Sequence, residues 1–153
     1  MSVETKLSEL NLHLPPTPAP GGVYKPMVIV GNLAYLSGHG PTQDDLSLIL
    51  GRIGEDLDAE AGYLAARQTG LAMLATLKNG LGSLDRVKRV VKLLGLVNSA
   101  PDFYKHPAVI NGCSELFAEL YGKKNGIGTR SAFGVAALPG GMAVEIEGIF
   151  EIE

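Results

Sequence analysis

Between Thr129 and Ala137 one arginine stands in a row of very small side chains. Strand alternation would put Arg130, Ala132, Gly134 and Ala136 on one face and Ser131, Phe133, Val135 and Ala137 on the other. A guanidinium beside such a floor has room above it, and its fork of N–H donors matches the two oxygens of a small carboxylate. An edge-strand arginine paired with a surface acid would give the same pattern, and the face alone does not choose between them. Other chemistries find no support. His13, His39 and His106 lack metal-ligand spacing, and Cys113 has no second cysteine for a CxxC pair. Gly38-His39-Gly40 lacks the later glycine and the lysine of a phosphate loop, and no GxSxG elbow occurs. Neither a metal nor a cofactor is expected.

The elements that must position Arg130 are legible in outline. Leu14–Gly22 is too rich in proline for a helix or a central strand and should run extended, so residues 1–22 are expected to form an extended leader and residues 23–153 one domain. Val28 and Val30, then Leu33, Tyr35 and Leu36, form two strand-like runs split by Gly31-Asn32, a two-residue hairpin signal. Ser37–Gly54 reads as loop with room for one short strand. Asp58–Gly80 is the clearest helix: Asp56, Asp58 and Glu60 stand at its start, Lys78 near its end, and Asn79-Gly80 is a stop signal. Arg86–Val97 reads as a long strand and Pro107–Leu120 as a second helix, followed by a loop at Gly122–Gly128. Strands at Thr129–Ala137 and Ala143–Ile152, joined through Leu138–Met142, would close a C-terminal hairpin.

The order is therefore β, β, α, β, α, β, β, with both helices packed on one face of the sheet. Arg86–Val97 carries apolar residues at both parities: Val87, Val91, Leu93 and Val97 on one side, Val90, Leu94 and Leu96 on the other. A strand apolar on both faces needs a second cover, and in a chain of 153 residues that cover is expected to be another copy of itself. The formal charge of −3 gives no electrostatic footprint for nucleic acid or an anionic membrane. The lone cysteine excludes an internal disulfide, and neither a signal peptide nor a membrane span is evident, so a cytoplasmic protein is expected.

From about Tyr24 to Glu151 the chain resembles the RidA/YjgF family of reactive-intermediate deaminases. The resemblance lies in Arg130-Ser131, Val135 and Leu138-Pro139, followed by Val144-Glu145-Ile146-Glu147, and in the segment Gly31–Gly38 (GNLAYLSG), with Tyr24 before it and Asn111 on the second helix. It implies an α+β, chorismate-mutase-like fold: a mixed six-stranded sheet backed by two helices, three copies forming a homotrimer, and ligands lying in clefts between subunits. It also implies roles. Arg130 would bind the substrate carboxylate, and Glu145 would orient a hydrolytic water. Tyr24, Ser37, Gly38 and Asn111 would line the cleft. Each of these four also has a plain structural account, as a half-buried tyrosine, a turn or a helix-to-loop hydrogen bond. Glu145 has one too, as a solvated strand carboxylate like Glu147. Ala132 stands where the family often has cysteine, and His39 where it often has glutamine; either residue would then touch the ligand.

The implied reaction is hydrolysis of a 2-enamine or 2-imine of an amino acid to the 2-oxo acid and ammonia. The imine carbon is already electrophilic, so positioning a water beside an anchored substrate suffices. A non-catalytic module that binds keto or amino acids is the alternative, and an endoribonuclease, with Lys123-Lys124 as its only basic opening, is a third. If Arg130 and Glu145 belonged to one hairpin turning near Gly140, Arg130 would oppose Phe150 and lie about 15 Å from Glu145.

Overall fold

The computed structural model describes residues 1–153. In chain order the elements are α1 (Val3–Glu9), β1 (Met27–Val30), β2 (Leu33–His39), α2 (Ala59–Leu81), β3 (Val87–Asn98), α3 (His106–Gly126), β4 (Thr129–Val135) and β5 (Val144–Ile152). Single 3-10 turns occur at Leu84–Arg86 and Pro139–Gly141. The strands form one mixed sheet in the order β1-β2-β5-β3-β4, in which only β3 and β4 are parallel.

Local chemistry explains most boundaries. Val30 pairs with Leu33 across Gly31, whose φ of 60° is what a tight hairpin turn demands. The Asp58 carboxylate accepts from the Ala61 N–H at 2.8 Å and caps α2. That helix runs past Asn79-Gly80 and ends at Gly82, the residue that takes the left-handed conformation (φ 84°). Pro107 sits in the first turn of α3, where its missing N–H is not needed. The helix continues through most of the loop expected at Gly122–Gly128, interrupted by Gly122 at φ 80°.

Two expectations about the sheet are corrected. It has five strands rather than six. Residues 41–57 make only isolated bridges, Thr42 with Leu48, Leu50 with Met142 and Ile53 with Leu57 and Ser99, because Gly51 and Gly54 turn the backbone through positive φ before a ladder can form. Nor do β4 and β5 form a hairpin. The α3 crossover returns the chain parallel to β3, so β4 takes the outer edge, while Leu138–Met142 carries the chain across the end of β3 and β5 pairs on its other side. The first 22 residues are not wholly extended either: α1 buries Val3 and Leu7 in the same core as the sheet, and Leu84 donates its N–H to Glu4.

α2 and α3 cover one face of the sheet. Beneath them Leu93, Val97, Ile146 and Phe150 are buried against Met73, Leu77, Ile110 and Phe117, and the Phe117 and Phe150 rings meet edge to face at 5.7 Å. At Gly95 a β-carbon would stand 2.7 Å from Ile110 side-chain carbons, so glycine is what lets α3 approach β3. Two irregularities in the β3–β5 register, near Val87–Arg89 and Val90–Lys92, shift the parity of β3 and bring Val90 to the covered side. The opposite face keeps Tyr35, Leu94, Leu96, Phe133 and Ile149 half-buried or exposed, with no element of the chain over them. No helix is long and apolar enough to cross a membrane.

Candidate functional site

Arg130 lies on the edge strand β4, in register with Leu93 of β3, and both side chains point toward the helices. Its Nη1 donates to Ser114 Oγ at 3.0 Å and its Nη2 to the Pro107 carbonyl at 3.3 Å. Pro107, Asn111 and Ser114 fall at i, i+4 and i+7 on α3, so they form one stripe along the helix. Asn111 sits between the two groups that hold the guanidinium. Its amide has no partner within the chain, and neither polar atom is buried. No carboxylate pairs with Arg130: the ion pairs of the molecule involve His13, Arg67, Lys78, Lys88 and Arg89 instead. The surface-pair account of this arginine is therefore not what the fold builds. A guanidinium carries five donors and two are used here, so a fork remains free for a ligand.

The small-residue floor is shorter than the sequence pattern indicates. Ala132 and Gly134 follow Arg130 on the α3 side, but β4 ends at Val135, and the Ala136 carbonyl instead accepts from Arg52 Nη2 at 2.8 Å. A β-carbon at Gly134 would stand 2.5 Å from both His106 Nε2 and Ser99 Oγ, which hydrogen-bond to each other at 3.1 Å. Ser114 and Ser99 were not among the residues singled out in the sequence, and His106 was weighed there only for metal-ligand spacing. The i+7 spacing of Ser114 from Pro107 was a usable signal; the approach of Ser99 to His106 across a loop had none.

Tyr24, Ser37, Gly38 and Glu145 gather elsewhere. Ser37 Oγ donates to the Lys25 carbonyl at 2.6 Å, and the Ser37 N–H donates to Pro26, which draws the Tyr24–Pro26 segment alongside β2. Tyr24 is half-exposed, and its hydroxyl accepts from the Gly21 N–H at 3.2 Å. Between Leu36 and His39 the β2–β5 register slips, and there the Glu145 side chain lies flat over Gly38: a β-carbon at Gly38 would stand 2.8 Å from Glu145 Cδ and overlap a carboxylate oxygen. Burial, then the neighbouring charge of Glu147, push the Glu145 carboxyl above its usual range.

His39 is turned the other way, toward α2. Its Nδ1 lies 2.6 Å from the Ser37 carbonyl and its Nε2 2.8 Å from Thr76 Oγ1. A carbonyl only accepts, so Nδ1 carries the proton and Nε2 accepts from the threonine hydroxyl. Burial lowers the pKa of this imidazole, partly opposed by the Ser37 hydrogen bond. Both ring nitrogens are engaged within the chain.

One chain thus builds two separate clusters. Arg130, Asn111 and Ala132 stand at the β4 edge on the helix side, while Glu145 stands two strands away, level with Leu96 and Phe133, on the uncovered side. Two strand spacings and three residues of rise put the two α-carbons about 14 Å apart. One small molecule cannot touch both groups within a single protomer. No three His, Cys, Asp or Glu side chains come together as a metal-holding group.

A family model described as "YjgF/chorismate_mutase-like, putative endoribonuclease" matches residues 4–141. Protein TCP17 of Trypanosoma cruzi is 39% identical over 150 residues, 98% of this chain and 94% of that one. The crystal structure of Atu1372 from Agrobacterium tumefaciens, a protein of unknown function, superposes with a TM-score of 0.90 at 38% identity, covering 99% of this chain and 94% of that one. RidA from an Antarctic Psychrobacter superposes with a TM-score of 0.63 at 30% identity, covering 89% and 94% respectively.

Proposed function

Because the chain belongs to the RidA/YjgF family, we propose that it hydrolyses 2-enamine and 2-imine derivatives of amino acids to 2-oxo acids and ammonia, in a cleft completed by two protomers of a homotrimer. One observation carries the reading. Arg130 has no acid partner and keeps donors free, while Glu145 lies over Gly38 on the far side of the sheet. A second copy is the simplest way to bring such half-sites together. The uncovered sheet face, with Tyr35, Leu94, Leu96, Phe133 and Ile149, is the surface on which three copies would meet.

In this cleft Arg130 would hold the substrate carboxylate, with the Asn111 amide beside it and Ala132 beneath. Tyr24, Ser37 and the Gly38 backbone of the neighbouring protomer would close the other wall. Glu145 would hold the water that attacks the imine carbon, and its raised pKa strengthens it as a proton acceptor. His39 would act from behind this wall, by tying the Ser37–Gly38 irregularity to α2.

Arg130→Ala tests the reading. Two charge-assisted hydrogen bonds to a carboxylate contribute about 3–4 kcal/mol, so kcat/KM should fall roughly 100- to 1000-fold while the oligomer stays folded. The assay couples a dehydratase that generates the imine to detection of the 2-oxo acid. A variant with wild-type kcat/KM would remove the proposed role. Arg130-dependent binding of 2-oxobutyrate without turnover would point instead to a ligand-binding module. The family description names an endoribonuclease; at a net charge of −3 the phosphate backbone finds little attraction here, and failure to cleave single-stranded RNA would close that reading.

A further inference from the structure

We propose that His106 is a second ligand-facing group of the Arg130 half-site and handles the proton at the substrate nitrogen, an inference that rests on the deaminase reading above. His106 opens α3, one residue before Pro107, whose carbonyl receives the Arg130 guanidinium. Its imidazole lies over Gly134, on the same side of β4 as Arg130 and Ala132. Guanidinium and imidazole therefore flank the Ala132 stretch of the strand.

Three contacts fix the ring. Ser99 Oγ, itself buried, bonds Nε2 at 3.1 Å. The Phe103 ring meets it edge-on at 5.5 Å between centroids. Gly134 leaves just the space the ring occupies, since a β-carbon there would come within 3.1 Å of Cδ2 and closer still to Nε2. Nδ1 alone has no partner in the chain, and it is not a buried atom. A serine hydroxyl can donate or accept, so it can hold Nε2 whichever tautomer the ring adopts and leave Nδ1 to gain and release a proton. A histidine packed only for structure would spend both nitrogens, as His39 does.

The proton balance closes on this atom together with the Glu145 carboxylate. Water adds its oxygen to the imine carbon as Glu145 takes one of its protons, the C=N π electrons move to nitrogen, and Nδ1–H of His106 supplies the proton that makes it an amine. The C–N bond then breaks as the new hydroxyl becomes the carbonyl: its proton returns to Nδ1, and the nitrogen takes the proton held by Glu145 and leaves as ammonia. One water is consumed, ammonia leaves, and the imidazole is regenerated without any oxidant or reductant.

The test joins kinetics to a direct view of the ring in the intact wild-type oligomer. His106→Gln should lower kcat roughly 100-fold with KM within about threefold, the signature of lost acid–base catalysis, whereas Arg130→Ala should raise KM. The His106 ring-proton NMR resonance, assigned by its cross-relaxation with the Phe103 ring that packs against it, should shift saturably as 2-oxobutyrate is added and should not shift in Arg130→Ala. Deamination that survives His106→Gln at the wild-type rate overturns this inference alone. Absence of deamination in the wild-type protein overturns both readings. If the variant fails to fold, the wild-type titration decides: Arg130-dependent binding of 2-oxobutyrate that leaves the His106 resonance unmoved places the imidazole outside the site.

Discussion

Replacing Gly38 with alanine should disable hydrolysis while barely disturbing the fold. The backbone at Gly38 does not need positive φ, so an L-residue fits there without strain. The new β-carbon, however, would stand 2.8 Å from Glu145 Cδ and 3.0 Å from Cγ, whereas non-bonded carbons rest at about 3.5–4.0 Å. The carboxylate must move by about 1 Å or more. The obstructing atoms are the end of a flexible side chain, so Glu145 swings aside at a cost of about 1 kcal/mol, which lowers Tm by about 2–4 °C in a domain of this size. A positioned general base contributes on the order of 100-fold or more, so kcat should drop by roughly that factor in the dehydratase-coupled assay. Affinity for 2-oxobutyrate should hold within a few-fold, because Arg130 is untouched. Glu145→Gln should show a similar loss, and Gly38→Ala added to Glu145→Gln should cost less than about threefold more, since both act on one group. Wild-type kcat in Gly38→Ala, or full additivity in the double variant, would refute the argument that Glu145 works from its place over this glycine.

Two further outcomes follow from the same geometry. The lowered pKa of His39 means that below the ordinary value of 6.5 the unfolded chain binds a proton that the folded chain resists. Stability should therefore be fully present above pH 6.5 and decline as pH falls toward the depressed value, and urea denaturation across that range should show the slope in the wild-type chain but not in His39→Gln. On the uncovered sheet face, Leu96→Glu would place one carboxylate per protomer in the surface proposed to join three copies. Sedimentation should then give one protomer mass in place of three, with helical circular dichroism retained, and an unchanged wild-type trimer would exclude that face.

Much of the local architecture was legible in the chain. Asp58 announced the start of α2, Gly31-Asn32 the first hairpin and Pro107 the first turn of α3, because caps and turns depend on residues within a few positions of each other. The run of Arg130 with Ala132 and Gly134 on one face also stood in the sequence, since alternation within a strand is a local property. The extent of α3 was less legible, as Gly122 and the lysines after it read as a loop although the helix resumes beyond the glycine.

Strand partnership is a different kind of fact. Nothing near Leu138–Met142 dictates that β3 should lie between β4 and β5, and only the α3 crossover and the packing of the whole sheet decide it. That choice puts Arg130 level with Leu93 and Gly148 rather than with Phe150. It also sends Arg130 and Glu145 to opposite faces, because alternation says which residues share a face but not which face the helices cover. The approach of Ser99 to His106 above Gly134 has the same origin. Residue types and short spacings settled which side chains share a turn, a helix stripe or a strand face, whereas contacts between distant segments, set by sheet order and helix docking, settled which groups can meet.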